Sequence, residues 1–300
     1  MISKFRIGVL VIILNFFASV ATTWGQVENP SLLQMAVPSL NIAPDARGGG
    51  MGDMGAATLP DINSQYWNAA KYAFMGSKAG VSLSYTPWLR KLVNDVALVN
   101  MTGYYKLGNS DLQAISASLR YFSLGEVNIW ENIGDVPYGL NPYEMAFDVA
   151  YSRKLSESYS MAVTLRYIRS DMGTDQNEES NAGNAFAADI SGYLEKYVLM
   201  GNAEALWSFG FNLSNIGSKI SYDGGNTNQY LPAKLTLGTG LLYPIDDYNQ
   251  IGIYLDLNKY MVPYAPQKEE GETDVDYQTR VDDYKSWSSL SGMLKSFTDS

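Results

Sequence analysis

Three glycines near the N-terminus, Gly50, Gly52 and Gly55, have the spacing G-x-G-x-x-G of a loop that binds the pyrophosphate of a dinucleotide. That chemistry requires a strand before the loop and a helix after it, so that backbone amides point at the phosphate. Here Pro44 and Pro60 flank the glycines, no helical period follows in the next hundred residues, and no Gly-Lys-Ser/Thr is present. The pattern therefore argues against a nucleotide site.

The same segment is better explained as a close-packed plug. Glycine lets two stretches of backbone approach or adopt positive φ, and flexible methionines fill irregular apolar gaps. Asp45 and Arg47 either pair with each other or satisfy backbone groups inside a lumen, where an unpaired charge is costly. The alternative is an exposed flexible tail, which the bulky Ile42, Tyr66 and Trp67 disfavour. The predicted plug residues are Asp45, Arg47, Gly50, Met51, Gly52, Met54 and Gly55.

Side chains that usually carry catalysis are scarce in this sequence. The 300 residues include no cysteine and no histidine, which excludes thiolate nucleophiles and serine–histidine pairs. A serine–lysine or carboxylate mechanism, as in a lipid-modifying hydrolase, is formally open, but no arrangement of residues marks one. Carboxylates over residues 269–276 offer oxygen ligands for Ca²⁺ without EF-hand spacing. We predict no enzyme, cofactor or metal, and the net charge of -10 argues against nucleic acid as a partner.

The first 25 residues have the order of a secretory signal peptide. Lys4 and Arg6 form a basic start, an apolar run follows over residues 7–17, and small residues come next. Cleavage after Gly25 would leave Gln26 as the first residue. A buried first helix or strand is the alternative, and the apolar run is short for a permanent anchor. The sequence therefore predicts export from the cytoplasm.

From residue 78 onward, apolar and polar residues alternate with the period of two that a β-strand requires. Most of these runs have one apolar face and one polar or small face. The segment over 263–300 lacks this alternation and is predicted to be an acidic loop. The chain is therefore predicted to be all-β, with nine or ten strands near residues 78–88, 95–107, 111–122, 125–131, 143–154, 159–170, 184–197, 202–214, 233–243 and 249–260.

Three features favour a transmembrane antiparallel barrel over a soluble β-sandwich. Several apolar faces end in tyrosine, which suits the level of the lipid headgroups. Charged residues within strands, Arg120, Asp148, Arg166 and Asp189, must face a wet or ion-paired interior. Most runs have about 9–13 residues, the length of a tilted membrane strand, and short turns alternate with longer loops. Because a barrel in lipid must close, we expect the last strands to be missing from this sequence.

Several segments resemble the PorV family of type IX secretion outer-membrane proteins, with PorQ as a more distant relative. The resemblance spans roughly residues 38–300 and depends on a few short segments in combination. One departure is Asn68-Ala69-Ala70, where we expect Asn-Pro-Ala, so the resemblance does not extend to the turn at these residues. The matching segments are residues 41–47 (NIAPDAR), 51–57 (MGDMGAA), 212–222 (NLSNIGSKISY), 230–233 (YLPA) and 258–263 (NKYMVP).

The resemblance implies a FadL-like barrel of about fourteen strands in the cell outer membrane, with an N-terminal hatch inside. It also implies a function: proteins of this family bind secreted cargo through its C-terminal signal domain. They pass the cargo from the translocon pore to the surface attachment complex. The alternative is a FadL-like channel for small hydrophobic molecules, which needs an apolar pocket and a displaced hatch.

These expectations define three regions and a set of candidate contacts. Residues 1–25 are the signal peptide, residues 26–77 the extension and plug, and residues 78–300 the barrel with its acidic loop. Extracellular loops project from a rigid barrel, so partner binding is expected there, over 130–143, 170–184 and 269–283. Within them, the candidate partner-binding residues are Trp130, Tyr138 and Tyr143, because aromatic anchors are frequent at binding hot spots. Solvated loops with incidental aromatics are the alternative.

Overall fold

The structure, a computed structural model, describes residues 33–88, 90–91, 93, 95–108, 111–129, 136–173, 182–201, 203–225, 227–269 and 271–298. The predicted signal peptide over 1–25 and the candidate Trp130 lie outside these residues. No helix in the described part of the chain is long and apolar enough to cross a membrane.

Eleven strands are found among the described residues, and nine of them form one antiparallel sheet in the order β1-β2-β3-β6-β7-β8-β9-β10-β11. The prediction of an all-β chain is confirmed. The strands are β1 Ala79–Pro87, β2 Val96–Leu107, β3 Gln113–Leu124, β4 Val127–Ile129, β5 Tyr138–Leu140, β6 Tyr143–Lys154, β7 Tyr159–Asp171, β8 Gly183–Met200, β9 Ala203–Gly217, β10 Lys234–Pro244 and β11 Gln250–Tyr260.

Two predicted elements need correction. The run over 125–131 does not join the sheet, because β4 pairs with β5 in a separate hairpin within the connection from β3 to β6. The predicted acidic loop over 263–300 contains two helices, α3 Asp274–Ser286 and α4 Ser289–Lys295. The Thr273 hydroxyl caps α3 by accepting a hydrogen bond from the Asp276 amide (3.2 Å), so acidic residues of this segment begin a helix.

The sheet has an apolar outer face and a polar inner face. Side chains of one register row, Leu83, Met101, Leu119 and Phe147, are all exposed and lie side by side across four strands. The alternate residues, among them Asp148, are buried on the other side. Because side chains alternate across a strand, this register gives the whole sheet two chemically different faces.

The N-terminal segment packs against the inner face as a series of short helices. These are the 3-10 helix η1 Pro38–Asn41, α1 Ala46–Gly50, α2 Ser64–Trp67 and the 3-10 helix η2 Ala69–Phe74. The segment reaches both edges of the sheet: the Ser84 hydroxyl in β1 donates to the Pro44 carbonyl (2.6 Å), and Asp256 in β11 accepts from the Gly55 amide (2.8 Å). The sheet therefore curves around this segment.

The ends of the strands form two different rims. Connections of a few residues, such as 155–158 and 245–249, join strands at one rim, which we call the short-connection rim. Longer connections, such as 125–142 and 218–233, join them at the long-connection rim. Strands β1 and β11 are the two sheet edges in the described residues and do not pair with each other, so closure with about fourteen strands stays a prediction.

Candidate functional site

Trp67 is the centre of the packed N-terminal segment. Its indole nitrogen donates to Asp45 (2.8 Å), and the other Asp45 oxygen accepts from the Gly48 amide (2.8 Å) at the start of α1. Gly48 and Gly55 lie against the indole so closely that a Cβ atom on either would overlap it. Asp45 therefore links the helix start to the tryptophan, and the two glycines provide the space.

The predicted plug residues divide into packed and peripheral ones. Asp45 and Gly55 are buried in the packing around Trp67. Arg47 is exposed and pairs with Asp61, so the Asp45–Arg47 pair is not formed. Asp45 instead follows the alternative expectation, because it accepts a hydrogen bond from the Gly48 backbone amide. The remaining predicted residues lie at the surface of the plug: Gly50 and Gly52 are exposed, and Met51 and Met54 are half-buried.

Polar side chains in several strands hold the plug by its backbone carbonyls. The donors are serine, asparagine and lysine side chains on the inner face, and the distances are 2.6–3.1 Å. The donor and acceptor pairs are Ser208 to Ala57, Ser160 to Ala70, Asn212 to Trp67 and Lys106 to Met75. These bonds satisfy carbonyls of the plug, both in its short helices and in the irregular backbone between them, which explains the frequent small polar residues on the inner face.

Asn68 connects three parts of the plug and sheet. Its side-chain oxygen accepts from the Ala70 amide (3.1 Å) and caps η2, while its nitrogen donates to the carbonyls of Ala56 and Gly192 (2.9 Å each). Ala69 stands where the resemblance leads us to expect proline, and it is the first residue of η2, a position at which proline is also compatible with a helix. The departure from Asn-Pro-Ala therefore leaves the turn intact.

Lys71 is a fully buried cation within the plug. Its ammonium donates to the Gly55 carbonyl (2.8 Å) and the Thr58 hydroxyl (3.1 Å). Burial lowers the pKa of Lys71 from its ordinary 10.5 to about 8, and the negative charge of Asp61 opposes this shift. The ammonium therefore stabilises the Gly55–Thr58 turn through hydrogen bonds at a desolvation cost.

An ion cluster on the inner face surrounds Arg166. Its guanidinium donates to Asp148 (2.6 Å) and to Asp189 (2.9 Å), and all three side chains are buried. A β-bulge between β8 and β9 brings Asn215 to the same cluster: its backbone has positive φ, and its side-chain oxygen accepts from Arg166. The predicted interior position of these charges is confirmed. Strand β9 continues through residues 215–217, beyond the predicted strand end at residue 214.

Arg120 and Glu144 fix the start of the plug from two neighbouring strands. The Arg120 guanidinium donates to the carbonyls of Ser39 (2.8 Å) and Ile42 (3.1 Å) and lies 4.5 Å from the centre of the Tyr66 ring. Glu144 accepts from the Ser39 amide (3.0 Å). One cation and one anion thus hold η1 at both ends, as expected for charges that complement a helix dipole.

Little space is left between the plug and the inner face. The polar cavity lined by Arg120, Asp148 and Arg166 has a volume of about 30 Å³. A buried water needs roughly 10–15 Å³ of such volume, so the cavity suits a few waters and no larger ligand. Among the described residues, no group of three or more acidic side chains could hold a metal ion.

The long-connection rim carries the described candidates for partner binding. Tyr143 begins β6, stacks on Tyr121 with 5.4 Å between ring centres, and accepts from the Arg169 guanidinium (3.0 Å). Tyr138 begins β5 in the separate hairpin and is half-buried. The two tyrosines therefore begin different strands, one in the separate hairpin and one in the sheet.

Helices α3 and α4 pack at the same rim as the start of the plug. Tyr284 and Met293 from these helices join a hydrophobic cluster with Tyr230, Met261 and Val262, and Leu33 packs against it. The Ala36 amide also donates to the Tyr230 carbonyl (2.9 Å). The sequence pattern missed this cluster because its members come from four separate segments. Only the capping pair of Thr273 and Asp276 signals the helix locally.

Comparison with known proteins agrees with these features. The family described as "Type IX secretion system protein PorV" matches residues 26–268. That range covers the plug and every strand of the sheet. No curated protein matches the chain significantly. The family is defined by a role in secretion and not by a catalysed reaction. Because the match spans most of the sequence, this chain belongs to the PorV family of type IX secretion system proteins.

Proposed function

We propose that this chain is an outer-membrane β-barrel that binds cargo of the type IX secretion system through the cargo's C-terminal signal domain. It passes the cargo from the translocon pore to the surface attachment complex. Family membership supports the secretion role. The partners proposed are thus secreted proteins, the pore and attachment proteins, and outer-membrane lipid.

The observation that carries the membrane location is the exposed apolar face of the sheet. Large apolar side chains such as Leu83, Leu165, Phe186 and Ile253 are 65–71% exposed on four different strands. A soluble monomer rarely exposes an apolar surface that extends over a whole sheet. Lipid is the solvent that this face requires, while the charged inner face is covered by the plug.

Cargo recognition is assigned to the long-connection rim. The β4–β5 hairpin with Tyr138 lies in the connection from β3 to β6 at this rim, and the acidic helix α3 follows β11 at the same rim. Both can vary without disturbing the sheet. Asp274, Asp276 and Asp282 give α3 a negative exposed surface, which attracts basic partner surfaces in a salt-dependent manner.

A binding measurement with a purified cargo C-terminal signal domain tests this proposal. Tyr138→Ala is expected to weaken binding to the protein in detergent by about fivefold or more, as for an aromatic anchor. Tyr248→Ala is the matched control, because Tyr248 is 95% exposed in the turn between β10 and β11 at the short-connection rim. Absence of any binding by the unchanged protein, or equal loss in both variants, would contradict the assignment.

The channel alternative has no comparable support. A transported hydrophobic molecule needs an apolar path, whereas the cavity beside Arg120 and Arg166 is small and polar. Uptake of a hydrophobic dye by liposomes, measured with the whole protein and without residues 41–72, separates the two functions. Uptake by the whole protein would favour the channel.

A further inference from the structure

An apolar groove crosses the outer face of β1, β2, β3 and β6. Its volume is about 510 Å³, within the roughly 300–1,000 Å³ range of small-ligand sites. Gly103 and Ala117 are paired in the register and form its floor, and Met101 and Leu119 form one wall. Ile115 belongs to the opposite wall. The groove is therefore one row of smaller side chains that lies between two rows of large apolar side chains on the outer face.

The fold itself does not require glycine at position 103. Gly103 has no positive φ, and a Cβ atom there would meet only the Gly80 carbonyl oxygen at 3.5 Å and Val81 at 3.6 Å, which are ordinary contacts. Gly210 differs, because a Cβ atom there would overlap the plug at Ala56. Glycine weakens a strand, and an unneeded one marks a place where something approaches closely. The ligand is expected on the outer side, because the groove opens there.

A cation lies beyond the Ile115 wall of the groove, on the side of the short-connection rim. The register places Tyr151 opposite Ile115, and Arg153 opposite Gln113, one outward row further along. Arg153 is exposed and has no ion-pair partner among the described residues. Four residues separate Val149 in the groove from Arg153, or roughly 13 Å along an extended strand. Tyr105 and Tyr151 lie between, where an aromatic girdle meets lipid headgroups.

We propose that this groove binds one acyl chain of a glycerophospholipid, with the lipid phosphate at Arg153. The proposal rests on the membrane location proposed above. The bulky rows lie two residues to either side of the floor, so they are roughly 13 Å apart along the strands, and their own side chains narrow the gap between them. The remaining width admits a hydrocarbon chain but not a partner helix of about 10–12 Å diameter. The apolar floor, and the cation roughly 13 Å away beyond one wall, match a tail and an anionic headgroup.

Native mass spectrometry of the full chain in mild detergent with added phosphatidylglycerol tests the proposal. Gly103→Ile fills the groove with a good strand former. It is expected to reduce retained lipid about tenfold, because several buried CH₂ contacts are lost. Arg153→Gln is expected to reduce retention about two- to fivefold, as for an exposed ion pair. Diacylglycerol, which lacks the phosphate, should be retained equally by the unchanged protein and Arg153→Gln.

Two controls separate lipid binding from folding. Ala188→Val adds bulk on the outer face in the same register row as Val149 and Leu165, but outside the groove, so it should retain lipid like the unchanged protein. If Gly103→Ile fails to show the heat-dependent gel shift of a folded barrel, Ala117→Ile replaces it at the other half of the floor.

Each outcome decides one claim. The proposal would be overturned if a folded groove-filling variant retained as much lipid as the unchanged protein. It would also be overturned if a protein co-purified with the unchanged chain and was lost only in this variant. Both results leave the membrane location standing. A chain that fractionates as a soluble protein without detergent would instead remove the proposed function itself.

Discussion

At the scale of single residues, the plug is organised by small side chains around one large one. The glycine spacing predicted close packing, but it did not predict that Trp67 fills the space, because the partner of a glycine is not encoded beside it. Gly48 was not among the predicted plug residues, although it contacts the indole as closely as Gly55 does. Likewise, the charges of Arg166 and Asp189 indicated an ion-paired interior, while the bulge that aims Asn215 at them has no local sequence signal.

Gly55→Ala is expected to loosen the plug. The new Cβ atom would overlap Trp67, and overpacking of this kind costs about 1–3 kcal/mol. Limited proteolysis of the N-terminal segment should become faster, and the temperature of the heat-dependent gel shift should fall. Gly50→Ala is the control, because a Cβ atom at Gly50 has no neighbour within 4 Å. Equal behaviour of the two variants would refute the packing role of Gly55.

The burial of Lys71 leads us to expect a specific pH dependence of the free energy of unfolding. Its folded pKa of about 8 lies below its ordinary 10.5, so between these values the unfolded chain binds more protons than the folded one. The free energy of unfolding should therefore rise as the pH increases from 8 to 10.5, by at most roughly 3 kcal/mol from this residue.

Unfolding by denaturant at several pH values checks this. Lys71→Met should lose the rise, while Lys268→Met, which removes an exposed lysine, should keep it. We compare the slope of the free energy of unfolding against pH, and not its absolute value, because Lys71→Met also removes two hydrogen bonds. The same slope in Lys71→Met and the unchanged protein would show that Lys71 is not desolvated.

At the scale of elements, the strands were predictable and the helices at the rim were not. Period-two alternation sustained over 12–13 residues, as in β6 and β7, identifies a strand because one face meets a different environment from the other. The β4 run has only three residues, too few to tell a sheet strand from a hairpin in a loop. Helix α3 lacks an apolar stripe along its length, so its acidic composition suggested a loop.

Thr273→Ala is expected to destabilise α3 alone. Loss of the N-cap hydrogen bond to Asp276 costs about 1 kcal/mol, or about fivefold in the population of the opened helix. Trypsin cleavage at Arg280 or Lys285 should accelerate by that factor, while the heat-dependent gel shift of the sheet stays unchanged. Thr279→Ala, in the same helix but not at its cap, should cleave at the original rate. Acceleration in both variants would argue against the cap.

At the scale of the whole molecule, two opposite faces of one curved sheet explain the composition. Moderate mean hydropathy, abundant tyrosine and buried ion pairs follow from strands with an exposed apolar face outside and a packed plug inside. The difference between the two faces could be predicted from the sequence, because it depends only on the alternation of side chains along each strand. The path of the plug could not, since Ser84 and Asp256 at opposite edges both contact it across long sequence separations.

The central claim is that the outer face contacts lipid and the inner face contacts the plug. The absence of native cysteine allows a clean scan of single cysteines along β6, each carrying a spin label, in protein reconstituted into liposomes. Labels at Phe147, Val149 and Tyr151 are expected to be accessible to oxygen dissolved in the bilayer. Labels at Ala146, Ala150 and Ser152 are expected to be immobile and protected. Accessibility to a water-soluble relaxation reagent at all six positions, without the period of two, would contradict the account.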